Sequence, residues 1–160
     1  MKSQIQTQSC RSFAMSLLSV KDYTVDKLRG RLIRRNYSPE EIEETLEWAI
    51  ESGYINEIEL MKRQIEIFAS RSYGKIIIKQ KLREHFFSLE LIQQHFDEIC
   101  NEIDFVYYCS VEVEKRVKKI DFSSLDKIET RKEKDKIIRQ IMSKGYNLEI
   151  VKKAMDGYFK

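Results

Sequence analysis

The residues of this chain with the most reactive side chains are three cysteines, Cys10, Cys100 and Cys109, and two histidines, His85 and His95. The histidines are ten residues apart, and no set of four Cys and His residues has the spacing of a structural zinc site. A catalytic cysteine needs a histidine and a positively charged setting, whereas Cys100 and Cys109 lie in an acidic, aromatic stretch. These residues therefore predict neither a metal site nor a cysteine nucleophile.

The sequence motifs of common catalytic and cofactor sites are also missing. The chain has no P-loop, no GxGxxG, no GxSxG and no HExxH. We therefore expect a protein that is not an enzyme and that needs no metal or other cofactor.

The composition is typical of a helical, well-hydrated protein, with 34% charged residues, one proline and five glycines. No apolar run approaches the roughly 20 residues of a membrane span. The polar N-terminus MKSQIQTQSC lacks the apolar centre of a secretory signal, and the odd number of cysteines without CxxC spacing indicates reduced thiols. The sequence predicts a cytoplasmic protein without a membrane partner, and we expect a monomer.

Charged residues alternate in sign along the chain, although the net charge is only +3. Residues 27–36 carry five bases and no acid, residues 71–85 five bases and one acid, and residues 115–144 eleven bases and five acids. The stretches between them, 37–70 and 86–114, each have a net charge of −7. The basic segments are either solvated faces or surfaces for phosphates or for an acidic protein groove.

We interpret the basic segments as the partner-binding surface because their cations share one side of a helix. Lys27, Arg31 and Arg34 fall on one stripe, away from the face that carries Leu28 and Leu32. The candidate partner-binding or DNA-binding residues are Lys27, Arg29, Arg31, Arg34, Arg35, Lys75, Lys79, Lys81, Arg83, Lys132, Lys134, Lys136 and Arg139.

The elements that carry these cations are indicated by a joint that the sequence repeats three times. It reads NYSPEEIEETL at 36–46, FFSLELIQQHF at 86–96 and GYNLEIVKKAM at 145–155. Each copy has an aromatic residue, a helix-capping residue, a glutamate in the first turn and apolar residues four apart. The capping residues are Ser38, Ser88 and Asn147. Each copy predicts a turn followed by a capped helix.

An apolar pair precedes each joint, and it predicts a second buried helix in every copy. The pairs are Leu28 and Leu32, Ile78 and Leu82, and Ile137 and Ile141. The sequence therefore predicts an all-α fold of three tandem three-helix repeats, stacked into an elongated, curved array. The predicted repeats span residues 1–55, 56–104 and 105–160, with a polar connector near 121–135.

Two residues near the joints carry more specific expectations. Asn36 and Gly145 suit a left-handed helix stop, whereas Phe86 does not, so the second joint is expected to close differently. Trp48 points away from the apolar face of its helix, and we expect it to pack on the adjacent repeat. The alternative is that Trp48 is an exposed anchor for a partner.

Several features occur together: a basic helix with paired leucines, an aromatic-serine joint, an acidic helix that ends in GYI, and an Arg-x-Tyr-Gly element at residues 71–74. They lie in SLLSVKDYTVDKLRGRLIRRNYSPEEIEETLEWAIESGYI and FASRSYGKIIIKQKLREHFFSLELIQQHF. In these features the chain resembles the RecX family of regulators of the bacterial recombinase RecA. The resemblance covers about residues 11–100 and extends to KDKIIRQIMSKGYNLEIVKKAM. The chain departs from the family at Asn56, where an aspartate is usual, and at Ile58 and Leu60, which stand in place of an aromatic residue.

The resemblance implies a regulator, mainly an inhibitor, that binds in the groove of the RecA–DNA filament. Such a protein blocks filament growth or promotes disassembly, and so modulates recombination, DNA repair and the SOS response. The implied partner is the RecA filament, with single- or double-stranded DNA as a further contact of the basic stripes.

Two other readings of the residues remain open. Capped helix pairs also occur in DNA-binding proteins of the helix-turn-helix kind, but the helix after the joint is acidic in the first two repeats, which opposes insertion into a DNA groove. The third hypothesis is that the protein is a purely structural adaptor, which requires that the basic stripes bind no partner.

Overall fold

The structure is a computed structural model that describes residues 8–159. The expectation that no secretory signal is present falls mainly on residues 1–7, which lie outside the described residues. Within residues 8–159 the secondary structure consists of nine α-helices and one short 3-10 helix, so the predicted all-α fold is confirmed. None of these described helices is both long enough and apolar enough to cross a membrane.

The helices pack in three groups of three, which we call units 1, 2 and 3. Unit 1 contains α1 (Cys10–Leu18), α2 (Val25–Ile33) and α3 (Pro39–Glu51). Unit 2 contains α4 (Glu57–Ser70), α5 (Lys75–Glu84) and α6 (Leu89–Asn101). Unit 3 contains α7 (Phe105–Val117), the 3-10 turn Phe122–Ser124, α8 (Lys127–Met142) and α9 (Leu148–Asp156). Between groups, α4 packs on α7.

The third helix of every unit begins at the predicted cap. The Ser38 hydroxyl accepts the backbone N–H of Glu41 at 3.2 Å, and the Glu41 carboxylate accepts the N–H of Ser38 at 2.9 Å. Ser88 and Asn147 each accept the N–H of the residue three positions later, at 3.2 and 2.9 Å. These bonds satisfy N–H groups that have no partner inside the helix, which confirms the three predicted helix starts.

The joints before these helices all pass through a left-handed residue. Asn36 and Gly145 have φ values of 60° and 92°, as predicted. Phe86 has a φ of 68°, so the expectation that the second joint closes differently is wrong. Its N–H donates to the carbonyl of Arg83 at 3.0 Å, and its ring lies 5.7 Å from the ammonium of Lys27. The left-handed conformation costs a non-glycine residue about 1–2 kcal/mol, and in Phe86 it occurs together with the contact between its ring and Lys27.

The described part of the chain has two separate hydrophobic cores. The first lies entirely in unit 1 and includes Leu28, Leu32 and Leu46. The second runs without interruption through units 2 and 3 and includes Ile78 and Ile141. Units 2 and 3 therefore share their apolar interior, while unit 1 has its own.

Units 2 and 3 meet at two glycines whose backbones touch. The N–H of Gly74 donates to the carbonyl of Lys144 at 2.8 Å, and the N–H of Ile76 donates to the carbonyl of Gly145 at 3.2 Å. The turn after α8 thus caps the start of α5, which has no side-chain cap. A Cβ atom on Gly74 would lie 2.2 Å from the carbonyl carbon and oxygen of Gly145. The glycine of the Arg-x-Tyr-Gly element is needed for this approach.

The junction between units 1 and 2 is polar. The N–H of Val25, at the start of α2, donates to Glu57 Oε1 at 2.9 Å. Burial raises the pKa of the Glu57 carboxyl, and this hydrogen bond partly opposes that effect. Arg63 forms an exposed ion pair with Asp22 at 2.7 Å. Unit 1 is therefore joined to unit 2 by polar contacts and not by a shared apolar core.

Trp48 lies within unit 1. Its partly buried ring packs against the core of that unit, 5.3 Å from the Tyr54 ring and 5.2 Å from the guanidinium of Arg11. The expectation that Trp48 packs on the adjacent repeat is therefore wrong. The neighbours of the indole are Arg11, in α1, and Tyr54, in the turn after α3, and both belong to the same unit as Trp48.

The polar segment before α8 is shorter than the sequence suggests. Residues 127–135, predicted as the later part of a connector, belong to α8. Asp126 starts the helix with a capping box: its carboxylate accepts the N–H of Glu129 at 2.7 Å, and its own N–H donates to the Glu129 carboxylate at 3.1 Å. The irregular segment between α7 and α8 is therefore residues 118–126.

A buried carboxylate ties α7 to the turn after α8. The Glu112 carboxylate lies 2.8 Å from Lys144 Nζ and also pairs with Arg116. Burial raises the pKa of Glu112, but the hydrogen bonds and charges of Lys144 and Arg116 outweigh burial and lower it from 4.5 to about 2. Because Lys144 also caps α5 through its carbonyl, Glu112 supports the contact between units 2 and 3.

We expect Glu112→Gln to destabilise the protein at neutral pH by about 3 kcal/mol, since each unit of pKa is worth about 1.4 kcal/mol. The pKa of Glu112 is lower in the folded than in the unfolded chain, so its contribution is complete above pH 4.5 and is lost as the pH falls towards 2. Urea unfolding of the natural protein and of Glu112→Gln, at several pH values between 7 and 3, measures how the difference in their stability depends on pH. A stability difference that stays constant over this range would show that only packing had been lost.

Candidate partner-binding surface

The predicted basic residues all lie on, or directly after, the middle helix of a unit. Five are on α2 and in the turn that follows it, four are on α5, and four are on α8. They therefore form three rows on three separate helices, and the structure does not gather them into one pocket.

Some of these cations form ion pairs inside the protein. Arg29 pairs with Glu43, and Lys79 lies 3.6 Å from Asp97; both carboxylates are on the third helix of the same unit. Lys136 pairs with a glutamate of its own helix at 3.3 Å. All three pairs are largely exposed, and each contributes about 0–1 kcal/mol. These pairs account for part of the alternation of basic and acidic segments in the sequence.

Other predicted cations lie over aromatic rings, where they cover apolar surface. The pairs, with the distance from the charged group to the ring centre, are Lys27 with Phe86 (5.7 Å), Arg35 with Phe13 (4.7 Å), Lys75 with Phe105 (5.4 Å), Lys81 with Tyr73 (4.7 Å) and Lys134 with Phe159 (4.1 Å). These residues have at least a partly structural role.

Five of the predicted cations remain available to a partner: Arg31, Arg34, Arg83, Lys132 and Arg139. Their side chains are exposed, and within residues 8–159 they make no ion pair and lie over no aromatic ring. They occur on the middle helix, or just after it, in all three units. The structure therefore narrows the candidate surface to these five side chains.

Exposed apolar residues accompany these cations, and the sequence reasoning missed them. They are Ile33, Ile76, Leu89, Met142 and Leu148, with exposures of 56, 65, 54, 41 and 42%. One signal was visible: in all three joints the first residue of the third helix is apolar, namely Pro39, Leu89 and Leu148. Proline suits the first position of a helix because of its fixed φ, but Leu89 and Leu148 have no such reason to be there, so they are candidate contact residues.

The cysteines and histidines are not arranged for chemistry. Burial raises the pKa of the Cys100 and Cys109 thiols to about 11, so both are protonated at neutral pH and are poor nucleophiles. The ring of His85 lies edge-on to Phe68 at 5.4 Å. In residues 8–159, no group of three or more His, Cys, Asp or Glu side chains is placed to hold a metal ion.

Comparison with known proteins shows that the chain is similar to one family. Residues 10–48, which include the five predicted cations of unit 1, match the family description "RecX, first three-helix domain". The chain is 26% identical over 147 residues to the regulatory protein RecX of Vibrio vulnificus (strain CMCP6), covering 92% of this chain and 91% of that protein. The chain is therefore similar to RecX proteins over nearly its whole length. The corresponding Vibrio parahaemolyticus RecX is 25% identical over 154 residues, covering 96% of this chain and 94% of that protein.

Solved structures of RecX proteins share the fold. The crystal structure of RecX from Lactobacillus salivarius superposes with a TM-score of 0.74 at 16% sequence identity, covering 92% of this chain and 93% of that one. A second crystal structure of a regulatory protein RecX gives a TM-score of 0.72 at 15% identity, covering 92% of this chain and 71% of that one. The RecX fold therefore extends through all three units of this chain, well beyond the residues that match the first domain.

Proposed function

We propose that this chain regulates a RecA recombinase, mainly as an inhibitor, by binding along the groove of the RecA–DNA filament. Bound there, it blocks filament growth or promotes disassembly, and so modulates recombination and the SOS response. It acts as a cytoplasmic monomer and uses no cofactor, because the effect comes from occupying the filament and not from chemistry. Similarity to RecX proteins supports the partner, since these relatives are named regulatory proteins.

The observation that carries the proposal is the recurrence of unpaired, exposed cations in each of the three units. Arg31 and Arg34 belong to unit 1, Arg83 to unit 2, and Lys132 and Arg139 to unit 3. One exposed cation gives a weak contact, but three linked units that each engage the filament bind as one molecule with much higher affinity. The proposed units are those that the sequence predicts, residues 1–55, 56–104 and 105–160.

Direct DNA binding is the second candidate function, and the unpaired arginines favour it because arginine is a strong phosphate ligand. The helices that would read bases oppose it. Helix α3 exposes Glu40, Glu44 and Glu47, and α6 exposes Glu90 and Glu98. Carboxylates at these positions would be repelled by phosphates on both sides of a DNA groove. Any binding to bare DNA is therefore expected to be independent of sequence and to fall steeply with salt.

We expect the triple variant Arg31→Gln, Arg34→Gln, Arg83→Gln to inhibit the filament about tenfold less well, from the loss of several exposed charge contacts. Helicity and melting temperature should stay unchanged, because none of the three side chains has an ion pair or ring contact in residues 8–159. Inhibition is measured as the DNA-dependent ATP hydrolysis of RecA against the concentration of the variant. Lys81 is left unchanged because it covers Tyr73, beside the contact between units 2 and 3.

The matched control removes the same charge elsewhere: Lys119→Gln, Lys127→Gln and Lys152→Gln, all exposed and none of them a predicted binding residue. The control should inhibit like the natural protein. Equal loss in both triples would mean that net charge alone matters, and full inhibition by the first triple would mean that the basic rows are solvated faces. Failure of the natural protein to inhibit RecA, together with tight binding to bare DNA, would favour the second candidate function.

A further inference from the structure

A groove lies between α5 and α6 in unit 2. Its volume is about 970 Å³, and its lining includes Ile76, Lys79, Arg83, Leu89 and Gln93. We call it the α5–α6 groove. It lies on the outer side of the helix pair whose inner side forms the shared core of units 2 and 3.

The walls of the groove are apolar side chains that the fold leaves in water. Ile76, in the first turn of α5, and Leu89, at the start of α6, are both more than half exposed. Buried Ile92 also lines the groove and belongs to the core beneath. Covering one large aliphatic side chain is worth about 1.5–3 kcal/mol, so two of them beside one groove form a surface that gains from being covered.

The rim of the groove is basic. Arg83 is exposed, and within residues 8–159 it has no ion pair. Lys79 extends over the Phe96 ring at 4.6 Å and keeps only a long contact of 3.6 Å with Asp97. The one carboxylate of the lining, Glu84, accepts a hydrogen bond from Gln80 at 2.9 Å. An occupant of complementary chemistry therefore carries an aliphatic side chain beside a carboxylate.

Units 1 and 3 also carry exposed aliphatic residues near cations that are unpaired within residues 8–159, although mostly at other positions of the repeat. In unit 1, exposed Ile33 is followed directly by Arg34, which has no partner among the described residues. In unit 3, exposed Met142 and Leu148 flank the joint, and unpaired Arg139 lies one turn before Met142. Each unit thus offers an exposed aliphatic residue near an available cation.

We propose that the α5–α6 groove binds a protein surface with an aliphatic side chain beside a carboxylate. Because it rests on the proposed function, the inference names the protein subunits of the recombinase filament, and not the DNA, as the occupant. Phosphate backbones are bound by cations and hydrogen-bond donors, and single-stranded bases stack on aromatic rings. The groove lining offers exposed aliphatic residues and contains no aromatic one.

The test compares apolar variants of the groove with an apolar variant of another surface. Ile76→Ser with Leu89→Ser removes the groove walls, and Ile67→Ser on α4 is the matched control, an exposed isoleucine outside the groove. We measure the affinity of each full-length protein for RecA filaments on single-stranded DNA with a non-hydrolysable ATP analogue, and for the same labelled oligonucleotide without RecA. The double variant should bind filaments about tenfold more weakly or worse, with unchanged binding to bare DNA. The control should stay within about twofold of the natural protein, a change of less than about 0.5 kcal/mol.

A second variant keeps the inference testable if the serine pair affects folding. Leu89→Asp places a negative charge at the first position of α6, where the helix dipole favours it, so the fold is retained. The new carboxylate repels an acidic partner, and filament binding should be lost.

The outcomes separate this inference from the proposed function. If the natural protein binds filaments and the groove variants bind them equally well, the groove is not the docking surface and the proposed function stands. If the serine pair weakens binding to bare DNA as much as binding to filaments, the groove contacts DNA and the inference is overturned. If the natural protein does not bind filaments at all, both are overturned.

Discussion

Gly74→Ala is expected to destabilise the protein by about 3 kcal/mol and to loosen unit 3 from unit 2. The added Cβ would lie 2.2 Å from the carbonyl group of Gly145 and 2.4 Å from the backbone nitrogen of Tyr146. These are backbone atoms, so relief requires the two units to move apart. That movement breaks the hydrogen bonds from Gly74 to Lys144 (2.8 Å) and from Ile76 to Gly145 (3.2 Å).

Urea unfolding followed by circular dichroism measures this loss, and Gly30→Ala is the matched control. Gly30 lies inside α2, and a Cβ there meets no atom within 4 Å. Because alanine is the better helix former, the control should be neutral or stabilising by up to about 1 kcal/mol. Gly145→Ala should resemble Gly74→Ala, since its φ is 92° and its Cβ would lie 2.6 Å from the nitrogen of Ile77. A Gly74→Ala protein as stable as the natural one would show that the contact between units is not tight.

The second expected result is that the two cores unfold as separate units. Leu46→Ala in unit 1 and Ile141→Ala in unit 3 each remove a buried aliphatic side chain, at a cost of about 3 kcal/mol. We propose that unit 1 is one cooperative body and that units 2 and 3 together are another, because Leu46 and Ile141 belong to different cores.

Hydrogen exchange followed by mass spectrometry distinguishes the two bodies, since destabilising a cooperative unit speeds exchange throughout that unit. Leu46→Ala should speed exchange in residues 10–51 and leave residues 57–156 unchanged. Ile141→Ala should speed exchange in unit 2 as well as in unit 3. Faster exchange over the whole chain in either variant would mean one cooperative body. If Ile141→Ala speeds exchange only in residues 105–156, the protein consists of three cooperative bodies.

The helix starts could be predicted because they depend on neighbouring residues. Ser38, Ser88 and Asn147 accept hydrogen bonds from the N–H three residues later, and such bonds follow from residue type and position alone. Pairs such as Leu28 and Leu32 could be predicted as buried because a period near 3.6 residues puts them on one face.

The candidate surface could be predicted only in part. The sequence assigned the cations to three helices, but it did not show that Lys81 lies over Tyr73 while Arg83 has no partner within the described residues. That difference depends on which helices pack side by side. The apolar walls of the α5–α6 groove were missed because the sequence does not show whether a leucine is buried or exposed. Leu89 is exposed and Leu82 is buried, and only the packing of the helices distinguishes them.

The sequence by itself determined the helices, their caps, their buried faces and the recurrence of the three-helix unit, because these depend on residues within about four positions of one another. The tertiary structure decided the left-handed conformation of Phe86, the packing of Trp48 inside its own unit and the contact of Gly74 with Gly145. Each of these brings together segments that are distant in the chain, or depends on which face of a helix a neighbour covers. That choice is made by the packing of the whole chain, and local residue patterns do not encode it.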